Sequence, residues 1–391
     1  MRLNARVIHV SVLFIVIPVH VLTADEEHKA ESCVVLYKKG VDAYLENRFK
    51  DCIESLEEAV QKYRSYSKAL QNCRLKCTEE AELSESLYPA DIEDLHFYEK
   101  TLRNTLCIIK CRKSNVHIAN TSALDPDTEQ MFEDKKPYEY LHLCYFQAGQ
   151  PQKAASAAFT YLVAHPHDEA IAKNLKHYSN HPEVDMKEII NFEAKDYIYL
   201  YIHGIDAYEK EDWKGVEANM EESLISYLQS EEECRAQCEG PFIQGWYPDF
   251  IPSIANHFTY CLKCKYKCSQ KLNNLNGEYH DDLLASHYHY LQYAYFKTGN
   301  LKAACQAAAS YLLFYPDDDT MRSNVKYYKK LPKVDSSYFT PRPEAVHYIR
   351  RSTYERKLLK FIQIEYSFNI SEPANKEKTS EVFINRNTLL Q

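Results

Sequence analysis

The chain has 391 residues, enough to bury a large core as two domains or one long solenoid. Its 8 glycines argue against a β-rich fold built on many tight turns, and no phosphate-cradling glycine loop is present. A formal net charge of −9 disfavours nucleic acid as the main partner.

Residues 1–24 read as a secretory signal peptide. Arg2 and Arg6 give a positive start, Val7 to Val21 is an apolar run, and cleavage is expected near Ala24. The run is interrupted by His9, Ser11, Pro18 and His20 and is short for a membrane span. No later stretch offers about 20 consecutive apolar residues, so a soluble protein of an oxidising compartment is expected, with no membrane span.

Residues 25–182 and 183–340 read as two tandem copies of one all-α unit. Gly40-Val41-Asp42-Ala43-Tyr44 returns as Gly204-Ile205-Asp206-Ala207-Tyr208, Phe49 as Trp213, and Glu57-Glu58 as Glu221-Glu222. Both versions read as helix, short polar turn, helix. A cysteine-bearing pair of helices comes next. Eight of the 13 cysteines form C-x-x-x-C pairs: Cys73/Cys77, Cys107/Cys111, Cys234/Cys238 and Cys264/Cys268. Residues four apart share one face of a helix, so two such helices laid antiparallel can be stapled twice. That geometry predicts Cys73–Cys111 with Cys77–Cys107, and Cys234–Cys268 with Cys238–Cys264. A four-cysteine zinc site is the rival reading, and the secretory leader favours disulfides.

Cys33, Cys52, Cys144, Cys261 and Cys305 remain. Cys33 and Cys52 flank a hairpin turning near Asn47–Phe49, at heights that differ by roughly 16 Å, too far to bridge. Most of the five are expected as buried free thiols, and the odd count leaves at least one unpaired within the chain. Loops at Ser84–Asp91 and Pro241–Pro252 join the cysteine helices. Trp246-Tyr247-Pro248 is apolar for a loop and is expected to tuck into the core. Asn120-Thr121-Ser122 is a glycosylation sequon.

The third hairpin of each unit is the most closely repeated stretch, Tyr140–Tyr178 against Tyr290–Tyr328. Shared positions include Leu141/Leu291, Tyr145/Tyr295, Phe146/Phe296, Ala154/Ala304, Ala158/Ala308, Tyr161/Tyr311 and Tyr178/Tyr328. Each copy reads as a bulky helix, a turn at Gly149 or Gly299, and an alanine-rich helix closed by Pro166 or Pro316. Small alanines let that helix lie close to its partner. The spacing is that of a tetratricopeptide-like hairpin of about 34 residues. His142 and Gln292 stand where such a repeat carries glycine. Three hairpins per unit make a solenoid, which is a binding surface before it is anything else. Ser179-Asn180-His181-Pro182 breaks the chain between units. Residues 341–366 open on Pro341-Arg342-Pro343 and continue as one more helix. Residues 367–391 are polar, are expected to be disordered, and carry a second sequon at Asn369.

Residues able to carry chemistry are few. His165 and His167 flank Pro166, but their counterparts Tyr315 and Asp317 could not share a metal role. His287 and His289 are two apart and point to different sides of a helix. Asp317-Asp318-Asp319 could hold calcium, but a helix N-terminus attracts such charge anyway. His280-Asp281-Asp282 matches two ligands of an iron(II) facial triad, yet it precedes a helix and no strand-rich domain follows. No Ser-centred elbow, zincin helix or P-loop is present.

The four C-x-x-x-C pairs, the Gly-Val/Ile-Asp-Ala-Tyr blocks, Tyr290-Leu291-Gln292-Tyr293-Ala294-Tyr295-Phe296, Ser310-Tyr311-Leu312-Leu313-Phe314 and Phe339-Thr340-Pro341-Arg342-Pro343-Glu344-Ala345-Val346 resemble the leprecan family. The likeness covers about residues 30 to 365. In that family, prolyl 3-hydroxylases join such a helical region to a C-terminal iron and 2-oxoglutarate oxygenase domain. The resemblance implies a disulfide-stapled, tetratricopeptide-like scaffold without enzymatic activity, cofactor or metal, in line with a sequence that stops before that domain. It further implies a protein of the endoplasmic reticulum lumen or, if secreted, of the extracellular matrix. Its implied partners are a prolyl 3-hydroxylase, a cyclophilin-type isomerase and procollagen chains. Thr388-Leu389-Leu390-Gln391 is not a retrieval signal, so residence would depend on a partner. Tyr348-Ile349-Arg350-Arg351-Ser352 also resembles the catalytic members. Two alternatives follow: a truncated prolyl 3-hydroxylase, or a non-catalytic paralogue that acts with lysyl hydroxylase.

Overall fold

The computed structural model describes residues 32–119, 124–240 and 249–366. The expected signal peptide, Asn120, Trp246-Tyr247-Pro248, Asn369 and the 367–391 tail lie outside them. The described residues are almost entirely helical. The first unit holds α1 (Cys33–Leu45), α2 (Phe49–Leu83), α3 (Leu95–Ser114), α4 (Val116–Ala119), α5 (Pro126–Glu133), α6 (Lys136–Gln147), α7 (Pro151–Ala164) and α8 (Glu169–Ser179). The second repeats the plan with α9 (Asp196–Glu209), α10 (Trp213–Gln237), α11 (Phe250–Tyr266), α12 (Cys268–Leu272), α13 (Leu283–Thr298), α14 (Leu301–Phe314) and α15 (Asp319–Tyr328), and α16 (Pro343–Tyr366) closes the array. The one sheet among the described residues is a small hairpin, β1 (Asn274–Leu275) with β2 (Glu278–Tyr279), pairing Asn274 with Tyr279.

One expectation needs correction. The second helix of the first hairpin and the first cysteine helix are a single element in each unit. No Gly or Pro interrupts the 35 residues of α2, so it runs for about 52 Å and serves two hairpins. The 25 residues of α10 do the same.

Local chemistry accounts for the turns. Asn47 and Glu211 take positive φ, 61° and 58°, at equivalent places between the first two helices of each unit. Gly149 and Gly299 take φ of 73° and 86° in the third hairpin, where a side chain would be strained even in open space. The repeated glycine of the Gly-x-Asp-Ala-Tyr block answers to packing instead. A Cβ on Gly40 would fall 2.5 Å from Leu56 Cγ, and one on Gly204 would fall 2.7 Å from Met220 Cε. Leu56 and Met220 are themselves repeat equivalents, so both copies cross at the same point. Ala154, Ala157 and Ala158 in α7, and Ala304, Ala307 and Ala308 in α14, are fully buried, as close helix packing demands.

Each unit has its own core, and polar contacts join the two. Arg64 of α2 donates to Phe192 O at 2.8 Å and to Glu193 at 2.7 Å, and Glu193 also accepts from the Tyr138 hydroxyl at 2.9 Å. The inter-unit linker is thereby tied to the first unit. Buried Arg74 donates to Ala236 O and Gln237 O at 3.1 and 3.2 Å, satisfying carbonyls at the C-terminal end of α10. Its repeat equivalent, Arg235, pairs with Glu355 of α16. The same arginine therefore reaches the next element in both copies.

Candidate interaction surface

Most of the tyrosines that mark the repeats are interior. Tyr145 donates to Glu57 at 2.5 Å, and Tyr295 donates to Glu221 at 2.6 Å. Tyr197 donates to Leu272 O at 2.7 Å and Tyr227 to Asn273 Oδ1 at 3.0 Å. These rings fill space and their hydroxyls find partners, as buried tyrosine requires. His142 and Gln292, in place of the expected glycine, point inward to Tyr178 and Tyr328.

Sulfur pins the helices. Cys73 and Cys111, Cys77 and Cys107, Cys234 and Cys268, and Cys238 and Cys264 face each other with sulfurs at bonding distance, 1.97, 1.96, 2.06 and 2.04 Å. A fifth pair, Cys52–Cys144, links α2 to α6 across 92 residues. Cys33, Cys261 and Cys305 are buried thiols. Spacing along one hairpin could not reveal the fifth pair, because its halves lie in different hairpins. One sequence signal did exist. The repeat equivalents of Cys52 and Cys144 are Val216 and Ala294, both fully buried, so both cysteines are absent together.

The residues considered for chemistry are dispersed. His280 follows β2 and lies 3.7 Å from Glu278, while Asp282 precedes α13, its carbonyl accepting from Ser286 N at 2.8 Å. Asp318 caps α15, accepting from Met321 N at 2.6 Å, and Asp317 pairs with Arg322. His165 reaches Asp134 O at 2.6 Å. His289 is partly buried, and desolvation lowers its proton affinity. Among the described residues, no three His, Cys, Asp or Glu side chains converge as a metal site would. Sequence reasoning missed one pair. Ser223 Oγ lies 2.8 Å from His287 Nε2, a nucleophile-to-base distance. Both are fully buried, Ser223 donates to Tyr197 O, and burial pushes His287 down to about 4, so the pair is a core network.

What faces solvent is apolar in two places. Tyr98, Leu102, Leu106 and Ile109 form an exposed stripe along α3 at helical spacing. Phe250, Ile251 and Phe258 are exposed on α11, and Phe97 of α3 meets Phe258 with ring centroids 6.3 Å apart. Exposed apolar faces of this kind mark interaction sites. A separate cleft of about 240 Å³, with a mixed and mainly polar lining, opens between α11, α12, α14 and α16. No helix among the described residues is long and apolar enough to cross a membrane.

A family model of the leprecan TPR-like repeat region matches residues 32–331. The chain belongs to the leprecan family. It is 31% identical over 331 residues to cartilage-associated protein of Mus musculus, covering 84% of this chain and 82% of that protein. It is 30% identical over 349 residues to prolyl 3-hydroxylase 1 of Mus musculus, covering 84% of this chain but 46% of the hydroxylase. Endoplasmic reticulum protein SC65 of Homo sapiens is 29% identical over 336 residues, with 83% of this chain and 76% of that protein covered. The chain thus spans about half of the matched hydroxylase and most of the other two. The leprecan match takes in α1 to α15, and α16 lies beyond it.

Proposed function

We propose that this leprecan protein is a non-enzymatic helper subunit in collagen modification. In this reading it works in the endoplasmic reticulum lumen, binds a prolyl 3-hydroxylase and a cyclophilin-type isomerase, and assists the modification and folding of procollagen chains. The carrying observation is a helical array pinned by five cysteine pairs that leaves apolar faces on α3 and α11 uncovered. A rigid array loses little conformational freedom on binding, so its affinity for a partner is not spent on ordering itself. Similarity to cartilage-associated protein over most of both chains supports the same reading.

The test is affinity capture of the full chain from a collagen-secreting cell. Stoichiometric co-purification of a prolyl 3-hydroxylase is expected. Recovery of neither a hydroxylase nor procollagen would refute the proposal, and recovery of a lysyl hydroxylase instead would favour the paralogue reading. A truncated enzyme is tested separately by anaerobic iron(II) titration. Stoichiometric iron binding that is lost in His280→Ala would overturn the non-enzymatic role.

A further inference from the structure

We infer that the outward face of α3 is a self-association surface, on which a second copy of this chain lays its own α3 antiparallel about a two-fold axis. Cys107 and Cys111 hold one side of α3 to α2. At about 3.6 residues per turn, Tyr98, Leu102, Leu106 and Ile109 fall on the opposite side. They are 44, 62, 56 and 45% exposed, and their stripe is about 17 Å long. Phe97 lies off the stripe, where it meets Phe258 of α11. The shared fold does not require such a stripe. Counted from the matching cysteines, the equivalents in α11 are Ala255, Thr259, Lys263 and Tyr266, and the second unit forms its stapled pair without it.

Charge selects the occupant. Glu93 and Asp94 stand just before α3, and Arg112 and Lys113 lie in its last turn. Among the described residues none of the four side chains has an ion-pair or hydrogen-bond partner. The stripe therefore runs from an acidic end to a basic end along a helix of about 30 Å. Laid antiparallel on a second copy, it sets Tyr98 against Ile109 and Leu102 against Leu106, and each acidic end against a basic one. That is the self-complementary patch a two-fold contact needs. Parallel pairing would oppose like charges at both ends, and a partner of one charge sign would be repelled at one end. A single helix from each copy makes a small contact, below the roughly 1,200 Å² of stable complexes, so a micromolar dissociation constant is expected. The α11 face stays open to other partners, so the pairing is compatible with the helper reading and does not rest on it.

The purified full chain is measured by sedimentation equilibrium from roughly 1 to 200 μM, a range that brackets a micromolar constant. A monomer–dimer equilibrium is expected, weakened about tenfold or more in Leu106→Asp. Two charge variants decide the orientation. Glu93→Lys with Asp94→Lys makes both ends basic, and Arg112→Glu with Lys113→Glu makes both ends acidic. Each variant alone should stay monomeric. Their equimolar mixture should pair again, since every basic end then meets an acidic one. Lys135 holds a φ of 59° before α6, close to the 62° of Asp94, so lysine is tolerated in that backbone, and melting temperatures should not move. A wild-type chain that is monomeric throughout, an unchanged constant in Leu106→Asp, charge variants that dimerise alone, or a mixture that stays monomeric overturns the pairing. Capture of a prolyl 3-hydroxylase is read on the same preparations. Capture without self-association sinks only the pairing, and self-association without capture sinks only the helper reading.

Discussion

His142 Nδ1 lies 3.0 Å from the hydroxyl of Tyr178, and one repeat later the hydroxyl of Tyr328 donates to Gln292 Oε1 at 2.5 Å. Both pairs are buried. The two units therefore solve one packing problem with different polar residues, where a tetratricopeptide repeat uses glycine. Tyr178→Phe should cost about 1–3 kcal/mol, because it strands a buried imidazole. Tyr328→Phe should cost about the same by stranding the Gln292 amide. Chemical denaturation measures both, and a loss well under 1 kcal/mol at either site would contradict the pairing.

Burial holds the His142 and His287 imidazoles at about 4, below the ordinary 6.5. Asp168 opposes that shift at His142, and the Leu283 carbonyl and then Glu221 oppose it at His287, without overcoming it. Each histidine is neutral in the folded chain and protonates only on unfolding as pH falls through 6.5. Their stability contribution is complete above pH 6.5 and shrinks down to about pH 4, since the unfolded state then binds more protons. Each should lose about 2 kcal/mol between pH 7.5 and pH 5. His142→Gln copies the second repeat, keeps a bond to Tyr178 and should remove roughly half of that slope. A variant whose melting temperature follows pH as steeply as wild type would show His142 is not responsible.

Cys52–Cys144 closes a far longer loop than Cys238–Cys264, 92 residues against 26. Loop entropy assigns them about 4.5 and about 3.5 kcal/mol. Cys52→Val with Cys144→Ala, which installs the residues of the second unit, should therefore destabilise by several kcal/mol with little loss of packing. Urea midpoints for this double variant and for Cys238→Ala with Cys264→Ala provide the comparison. An unshifted midpoint in the first would mean that the cross-link contributes nothing.

Arg342 grips both oxygens of Glu221, at 2.5 and 2.9 Å, and its N–H donates to Ser310 Oγ at 2.9 Å. Glu221 is the carboxylate that also accepts from Tyr295. The Pro-Arg-Pro block thus fastens the start of α16 to the second core. Arg342→Ala should cost about 2–3 kcal/mol, because it leaves a half-buried carboxylate without its ion pair. Limited proteolysis should then cut near residue 340 first. Unaltered cleavage kinetics would show that other contacts hold α16.

Much of this molecule could be read from the chain itself. Repeated glycines, alanines and C-x-x-x-C pairs specify the helices, the duplication and the double staples, because helical periodicity puts residues three and four apart on one face. Local sequence also contained the continuity of α2, since nothing in it can break a helix, although the hairpin pattern suggested a division there. Contacts between distant helices are of another kind. Cys52 meeting Cys144, Arg74 meeting the end of α10, and the cleft beside α16 depend on how whole helices dock. No spacing along the chain encodes that, and only the packed tertiary structure decides it.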